Sequence, residues 1–252
     1  MNLNRFIFIS VIFLGLSVSA FSQVDQFKSA NDLYAKAQYS EAAQLYEQLV
    51  NNNEIAPELY FNLGNTYYKL GEVGKSILNY ERALRLRPTY DDAAFNLEMT
   101  RLKVVDNVVQ VPSFFIMRWI DSLIKLMSSN QWFWLSAVLL LITIISFFNF
   151  IFGSSPSLRR FTFYLGVVIL SLTVLTGFFA GIRKSQMAQH NQAIIMVGTI
   201  IVKGSPDKSG TDLFQLHEGT KVKVKSELGD WTEIVLGNGN VGWVEDINIA
   251  KI

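Results

Sequence analysis

The side chains best suited to chemistry are scarce in this chain. It has no cysteine and only two histidines, His190 and His217, whose separation fits no metal-ligand motif. No glycine-rich phosphate loop follows a predicted strand, and no Gly-x-Ser-x-Gly motif is present. The sequence therefore predicts no catalytic, cofactor or metal site, and we expect both histidines at the surface.

The charged side chains are expected on solvated surfaces. Three carboxylates fall where exposed helix faces are predicted: Glu41, Glu47 and Glu81. The densest basic cluster, Arg82-x-x-Arg85-x-Arg87, suits a solvated helix end. Positive charge is concentrated in residues 107–189, which carry six basic side chains and one acidic side chain. Because these residues surround long apolar stretches, a nucleic-acid-binding surface is not indicated.

Two uncharged stretches, residues 132–152 and 161–182, dominate the middle of the chain. Each is long enough to cross the roughly 30 Å hydrocarbon core of a bilayer. The alternative is a buried helical hairpin of a soluble protein, but such helices rarely stay apolar on every face for so long. The sequence predicts two transmembrane helices, which return the chain to the side from which it started.

Residues 1–22 combine a charged start at Arg5, a short apolar run and small residues, as a cleaved secretory signal peptide does. An uncleaved anchor with its amino end inside is the alternative and gives the same topology. The loop of residues 153–160 contains two arginines, which favour a cytoplasmic loop, whereas Arg183 and Lys184 favour the reverse. Because the flanking charges disagree, we take the orientation from the signal peptide. We therefore expect both soluble regions in the periplasm and the protein in a bacterial inner membrane.

Residues 113–129 precede the first span and have polar side chains at helical spacing, at Arg118, Asp121 and Lys125. Ser113 can cap the start of this helix. An amphipathic helix lying in the membrane interface is predicted. The alternative is that its apolar face packs against the membrane helices of a partner.

Residues 24–105 contain an internal repeat. Four matched pairs are 34 residues apart: Ala30 and Gly64, Tyr39 and Val73, Ala42 and Ser76, Tyr46 and Tyr80. This resembles the tetratricopeptide repeat (TPR), a helix-turn-helix unit of that period. The resemblance implies two repeats followed by one helix, which acts as a cap unless a partner covers the end. A generic helical bundle is the alternative.

The second repeat contains small residues where two helices must approach each other. Gly64 and Ala83 permit that approach, and Tyr67 and Tyr80 are expected to fill the space beside them. Pro88 cannot continue the preceding helix and is expected to end it.

The TPR resemblance also implies a concave protein-binding groove. The family's lining positions fall on Phe27, Asn31, Tyr34, Phe61, Asn62, Asn65, Tyr68, Phe95, Asn96 and Met99. Some TPR domains bind a terminal carboxylate with two asparagines and several basic residues, but the basic positions here hold Phe27, Asp92 and Asn96. We therefore expect an aromatic, amide-rich groove for an extended or helical protein segment. The alternative is that several of these aromatic side chains belong to the core.

Residues 193–252 alternate short apolar runs with Gly, Asn and Asp, which predicts a small all-β barrel. The turn Lys203-Gly-Ser-Pro206 and the closing Gly242-Trp243-Val244 resemble bacterial SH3-like domains. Three aromatic residues are candidates for an SH3-like binding surface: Phe214, Trp231 and Trp243. The alternative places Trp231 and Trp243 in the core.

The order of these segments resembles the BatE family of the Bacteroides aerotolerance (Bat) operon. The fold class expected is a multidomain membrane protein with an all-α TPR solenoid, a transmembrane α-hairpin and a small all-β SH3-like barrel. The resemblance implies von Willebrand A-domain and TPR membrane proteins as partners and a link to aerotolerance or envelope stress. We expect a non-enzymatic adaptor in contact with the lipid bilayer, without nucleic acid or cofactors. The alternative is a peptidoglycan sensor or tether acting through the SH3-like domain.

Overall fold

The computed structural model describes residues 25–106, 114–188 and 191–252. These residues form two compact units, one made from the first and third segments and the other from residues 114–188. The predicted signal peptide, Ser113 and His190 lie outside the described residues.

The first segment is a series of five helices. They are α1 (residues 25–35), α2 (Tyr39–Asn51), α3 (Pro57–Leu70), α4 (Val73–Leu86) and α5 (Asp91–Arg101). Pro57 stands at the first position of α3, where its missing N–H costs no helical hydrogen bond. Gly71 ends α3 with a φ of 82°, a left-handed conformation that glycine adopts readily. Helix α4 ends at Leu86, just before Pro88, as predicted.

The close approach predicted at Gly64 is confirmed. A Cβ atom at this position would lie 2.7 Å from the Tyr80 ring, so only glycine lets the ring pack against α3. The Ser76 hydroxyl donates a hydrogen bond of 2.9 Å to the Gly64 carbonyl, which joins α4 to α3 at the same level. Both Tyr67 and Tyr80 are buried.

The last segment is an antiparallel sheet of seven strands. They are β1 (Gln192–Ile195), β2 (Thr199–Lys203), β3 (Asp212–His217), β4 (Lys221–Leu228), β5 (Trp231–Val235), β6 (Val241–Glu245) and β7 (Ile249–Lys251). Their order is β3-β2-β6-β5-β4-β1-β7. Alternate residues, such as Thr232 and Ile234 on β5, point into one apolar core.

The sheet is open, so the barrel closure expected from the sequence is not present. Closure would require β3 to pair with β7, but these strands are the two edges of the sheet. Side chains of α4 occupy the β7 edge instead. The Arg82 guanidinium donates to the Lys251 carbonyl at 2.9 Å, and that of Arg85 donates to the Ile252 carbonyl. The prediction of a solvated basic helix end is therefore wrong for these two arginines.

Helices α4 and α5 pack directly against the sheet. Ile194 of β1 and Ile252 are buried in one cluster with Ile77, Leu78 and Leu97. The neighbours of Ile194 on β1, Ala193 and Ile195, point into the core of the sheet. Strand β1 is thus apolar on both faces because it separates two cores.

The second unit consists of α6 (Phe115–Lys125), α7 (Ser129–Phe152) and α8 (Pro156–Ala188). Both α7 and α8 are long and apolar enough to cross a membrane, and only 11% and 22% of their most apolar windows are buried. Burial that low distinguishes them from the core helices of a soluble protein. Helix α8 begins at Pro156, within the loop predicted at residues 153–160, because proline suits the first position of a helix.

Polar side chains contribute to the contact between α7 and α8, beside aromatic pairs such as Trp132 with Phe179. The Ser129 hydroxyl donates to the Ala180 carbonyl at 3.0 Å, and the Ser136 hydroxyl to the Thr173 carbonyl at 3.1 Å. Such contacts hold membrane helices together where lipid removes the hydrophobic drive for association. Helix α6 is shorter than the predicted 113–129, and most of its large apolar side chains, including Phe115 and Trp119, are exposed.

Candidate protein-binding site

The predicted groove is organised by a hydrogen-bond network that occurs twice. In the first copy, the Asn31 side-chain oxygen accepts from the Tyr46 hydroxyl at 2.6 Å and from the Asn62 amide at 2.9 Å. The same three positions of the next repeat are Asn65, Tyr80 and Asn96. The Asn65 oxygen accepts from the Tyr80 hydroxyl at 2.7 Å and from the Asn96 amide at 2.8 Å.

This network fixes the asparagines that line the groove. Burial raises the pKa of Tyr46 and of Tyr80 to about 12, so both hydroxyls stay protonated and donate at neutral pH. Each network also joins successive helices of the array, because Asn31, Asn65 and Asn96 lie on α1, α3 and α5. The amides are therefore held in position before any partner arrives, which lowers the entropy cost of binding.

Two adjoining clefts lie along this network. The smaller, of about 70 Å³, is lined by Asn31, Tyr34, Tyr46, Asn62 and Asn65. The larger, of about 360 Å³, is lined by Tyr34, Asn65, Tyr68, Lys69, Tyr80, Phe95, Asn96 and Met99. The clefts share Tyr34 and Asn65, so together they form one continuous depression, which we call the groove.

Eight of the ten predicted groove residues line these clefts, and two are placed in the core. Phe27 packs edge-on against the Tyr46 ring, with the ring centres 6.0 Å apart. Phe61 packs against Tyr80 and Tyr90. Both phenylalanines are half-buried, whereas the repeat-equivalent Phe95 is 65% exposed.

Two lysines at the groove were not identified from the sequence. Lys69 lines the larger cleft, and the Lys103 ammonium lies 3.8 Å from the centre of the Tyr68 ring. They occupy equivalent positions in successive repeats, because they are 34 residues apart. That spacing was visible in the sequence, but it could not show that Lys103 lies over Tyr68, in the cleft that Lys69 also lines.

The three aromatic candidates of the sheet are all partly exposed. Trp231 and Trp243 lie on the face of the sheet opposite to the buried Thr232, Ile234 and Val244. Trp231 helps to line a cleft of about 530 Å³ together with Lys203 and Lys208. Phe214 packs against the sheet core.

A second group of polar side chains joins the helices to the sheet. Asp106 accepts hydrogen bonds from the backbone N–H of His217 at 2.6 Å and from the Thr220 hydroxyl at 2.7 Å, and it contacts His217 Nδ1 at 2.7 Å. The buried carboxylate of Glu81 pairs with Arg101 at 2.6 Å and with Lys221 at 2.7 Å. The prediction of a solvated Glu81 is therefore wrong, whereas His217, expected at the surface, is partly exposed, with 30% of its side chain accessible.

These junction contacts are structural in character. Burial by itself would raise the pKa of Asp106, but the hydrogen bonds from Thr220 and His217 outweigh it and lower that pKa. A carboxylate stabilised in its charged form accepts hydrogen bonds well and is a poor general base at neutral pH. Within the described ranges, no three His, Asp or Glu side chains are grouped as metal ligands.

The comparisons with known proteins agree with the helical geometry. A search of curated proteins found no match to this chain. A family model of the tetratricopeptide repeat matches residues 57–90, which comprise α3, α4 and the turn before α5. The segment that contains Asn62, Asn65, Tyr68 and Tyr80 is thus a tetratricopeptide repeat.

Proposed function

We propose that this protein is a non-enzymatic adaptor of a bacterial inner membrane that binds a partner protein in its groove. The observation that carries the proposal is the repeated Asn–Tyr network beneath an open cleft, in a chain with a tetratricopeptide repeat. Repeats of this kind use their concave face for protein segments. The two long apolar helices would anchor the protein in the bilayer.

The finer parts of the proposal come from the sequence. The signal-like start supports a periplasmic location for the groove and the sheet. The resemblance to the BatE family supports a place in a Bat-type complex linked to aerotolerance or envelope stress. Its partners would then include von Willebrand A-domain and TPR membrane proteins.

Site-specific photo-crosslinking in living cells tests the proposal. We would introduce p-benzoylphenylalanine in place of Met99, which is 45% exposed in the groove, and in place of Ile55, which is 67% exposed between α2 and α3. Light should produce a discrete protein adduct at Met99 and none of the same mass at Ile55. Adducts that are the same at both positions, or that are absent at Met99, would contradict a binding groove.

A second candidate function is a cell-wall sensor or tether. It is favoured by the cleft at Trp231, because an aromatic wall in an open cleft suits a glycan-linked peptide. Retention of the detergent-solubilised full chain on purified sacculi, lost in Trp231→Ala, would support this function. The adaptor proposal expects no retention.

A further inference from the structure

The larger cleft of the groove has a basic edge whose charge is not neutralised by the described residues. Lys69 is in the last turn of α3 and lines this cleft, and Lys103 follows the end of α5 with its ammonium 3.8 Å from the centre of the Tyr68 ring. Glu72, the carboxylate nearest to Lys69 in sequence, pairs with Lys75 at 2.6 Å. Asp106, the carboxylate nearest to Lys103, accepts hydrogen bonds from His217 and Thr220 instead. Within residues 25–106 and 191–252, neither Lys69 nor Lys103 has an ion-pair partner.

The same cleft has an apolar wall that the described residues of this unit leave exposed. Phe95 and Met99 are one turn apart on α5 and are 65% and 45% exposed. Phe27 and Phe61, at the equivalent positions of the earlier repeats, pack against tyrosines of the following helix. Phe95 is exposed because α5 is the last helix of the array in the described first segment, so no following helix brings a tyrosine against it.

An apolar wall beside two uncompensated cations defines the chemistry of an occupant. A bulky apolar side chain would remove Phe95 and Met99 from water, which is the main source of affinity at such a site. Carboxylates on the same segment would lie near Lys69 and Lys103 and would set its orientation. A basic segment would meet like charge.

We propose that this end of the groove binds a protein segment in which a bulky apolar side chain is flanked by acidic side chains. The proposal rests on the proposed function, because it specifies which segment the groove takes. It differs from terminal-carboxylate recognition, since the acidic groups are side chains and an internal segment suffices.

The probes are three fluorescein-labelled peptides with amidated ends and the same Leu-Phe centre, flanked by Glu, by Gln or by Lys. Binding to the full chain in neutral detergent is followed by fluorescence anisotropy, with empty micelles subtracted. We expect the Glu peptide to bind about tenfold more tightly than the Lys peptide, and the preference to shrink as salt is raised.

Charge reversal supplies the variant and its matched control. Lys69→Glu with Lys103→Glu should abolish the preference for the Glu peptide, and Phe95→Ala should weaken binding of the Glu peptide by about tenfold. Lys223→Glu is the control, because Lys223 is an exposed lysine of β4 outside the groove. It should leave the preference unchanged.

The outcomes separate this proposal from the proposed function. Equal binding of the three peptides, no binding of any, or a preference that survives the double charge reversal would overturn the acidic-segment proposal. Crosslinking at Met99 could still succeed in those cases, and the groove would then serve a segment of other composition. Failure of the crosslink together with selective peptide binding would overturn the cellular function alone.

Discussion

Asp106 shows how a single side chain can hold two parts of the chain together. It lies just beyond α5, and its carboxylate receives hydrogen bonds from the turn between β3 and β4, at His217 and Thr220. Gly219 of that turn has a φ of 86°, and a Cβ atom there would lie 2.8 Å from the Val104 side chain. Backbone conformation and hydrogen bonding therefore specify the same contact.

Replacing Asp106 by Asn should destabilise the protein in a pH-dependent way. The pKa of Asp106 is lowered in the folded state, so its charge stabilises the fold above its unfolded pKa of about 3.9. This stabilisation is lost as the pH falls through the lower, folded pKa. We expect Asp106→Asn to cost about 1–3 kcal/mol at pH 7 and much less well below pH 3.9.

Urea unfolding of the full chain in detergent, at pH 7 and well below pH 3.9, measures this effect. Asp212→Asn is the control, because Asp212 is an exposed partner of Lys203 and should contribute little. A cost for Asp106→Asn that is the same at both pH values would show that its charge is not involved.

Strand β1 is the element on which the joining of helices and sheet depends. Its Ile194 is fully buried against Ile77 and Leu97, while Ala193 and Ile195 face the sheet core. The sequence predicted that the last helix of the array acts as a cap or that a partner covers the end. In the structure, β1 and Ile252 cover α4 and α5, so part of the cap comes from the far end of the chain.

Ile194→Ala should therefore loosen helices and sheet together. Truncating a fully buried isoleucine costs about 2–5 kcal/mol, because it leaves a cavity between the two layers. Hydrogen–deuterium exchange should become faster in α4 and α5 as well as in β1 and β7. Ile201→Ala is the matched control, since Ile201 is 44% exposed on β2 and should change exchange only locally. Faster exchange confined to the sheet would contradict a shared core.

Two helices that are long and apolar enough to cross a membrane separate two segments that fold together. Residues 25–106 and 191–252 form one compact unit, although α7 and α8 separate them in sequence. Two segments that share a core must lie on the same side of the bilayer. This requirement agrees with the even number of spans and does not depend on flanking charges.

Cysteine labelling tests this topology, because the chain has no native cysteine. Ile55→Cys and Ile247→Cys place thiols at exposed sites of the two segments, and Ser154→Cys places one in the turn between α7 and α8. A membrane-impermeant maleimide applied to spheroplasts should label either both Ile55→Cys and Ile247→Cys or Ser154→Cys alone. Labelling of the pair would support the periplasmic orientation, and labelling of Ser154→Cys alone would place the groove in the cytoplasm. Different labelling of Ile55→Cys and Ile247→Cys would contradict the shared unit.

The sequence by itself determined the features that depend on local spacing. The 34-residue period identified the repeats, the uncharged stretches identified α7 and α8, and alternation identified the β-rich segment. Each of these signals arises because a helix or strand must place its apolar residues on particular faces, and neighbouring residues suffice to reveal this.

Only the tertiary structure decided what covers each face. Phe27 and Phe95 occupy equivalent positions, yet Phe27 is half-buried and Phe95 is exposed, because only Phe27 has a tyrosine of a following helix against it. At the open β7 edge of the sheet, two arginines of α4 donate hydrogen bonds to the carbonyls of Lys251 and Ile252. The contacts of Glu81 with Lys221 and of Asp106 with His217 join residues more than a hundred positions apart. Local periodicity carries no record of such contacts, since they depend on how complete elements pack in space.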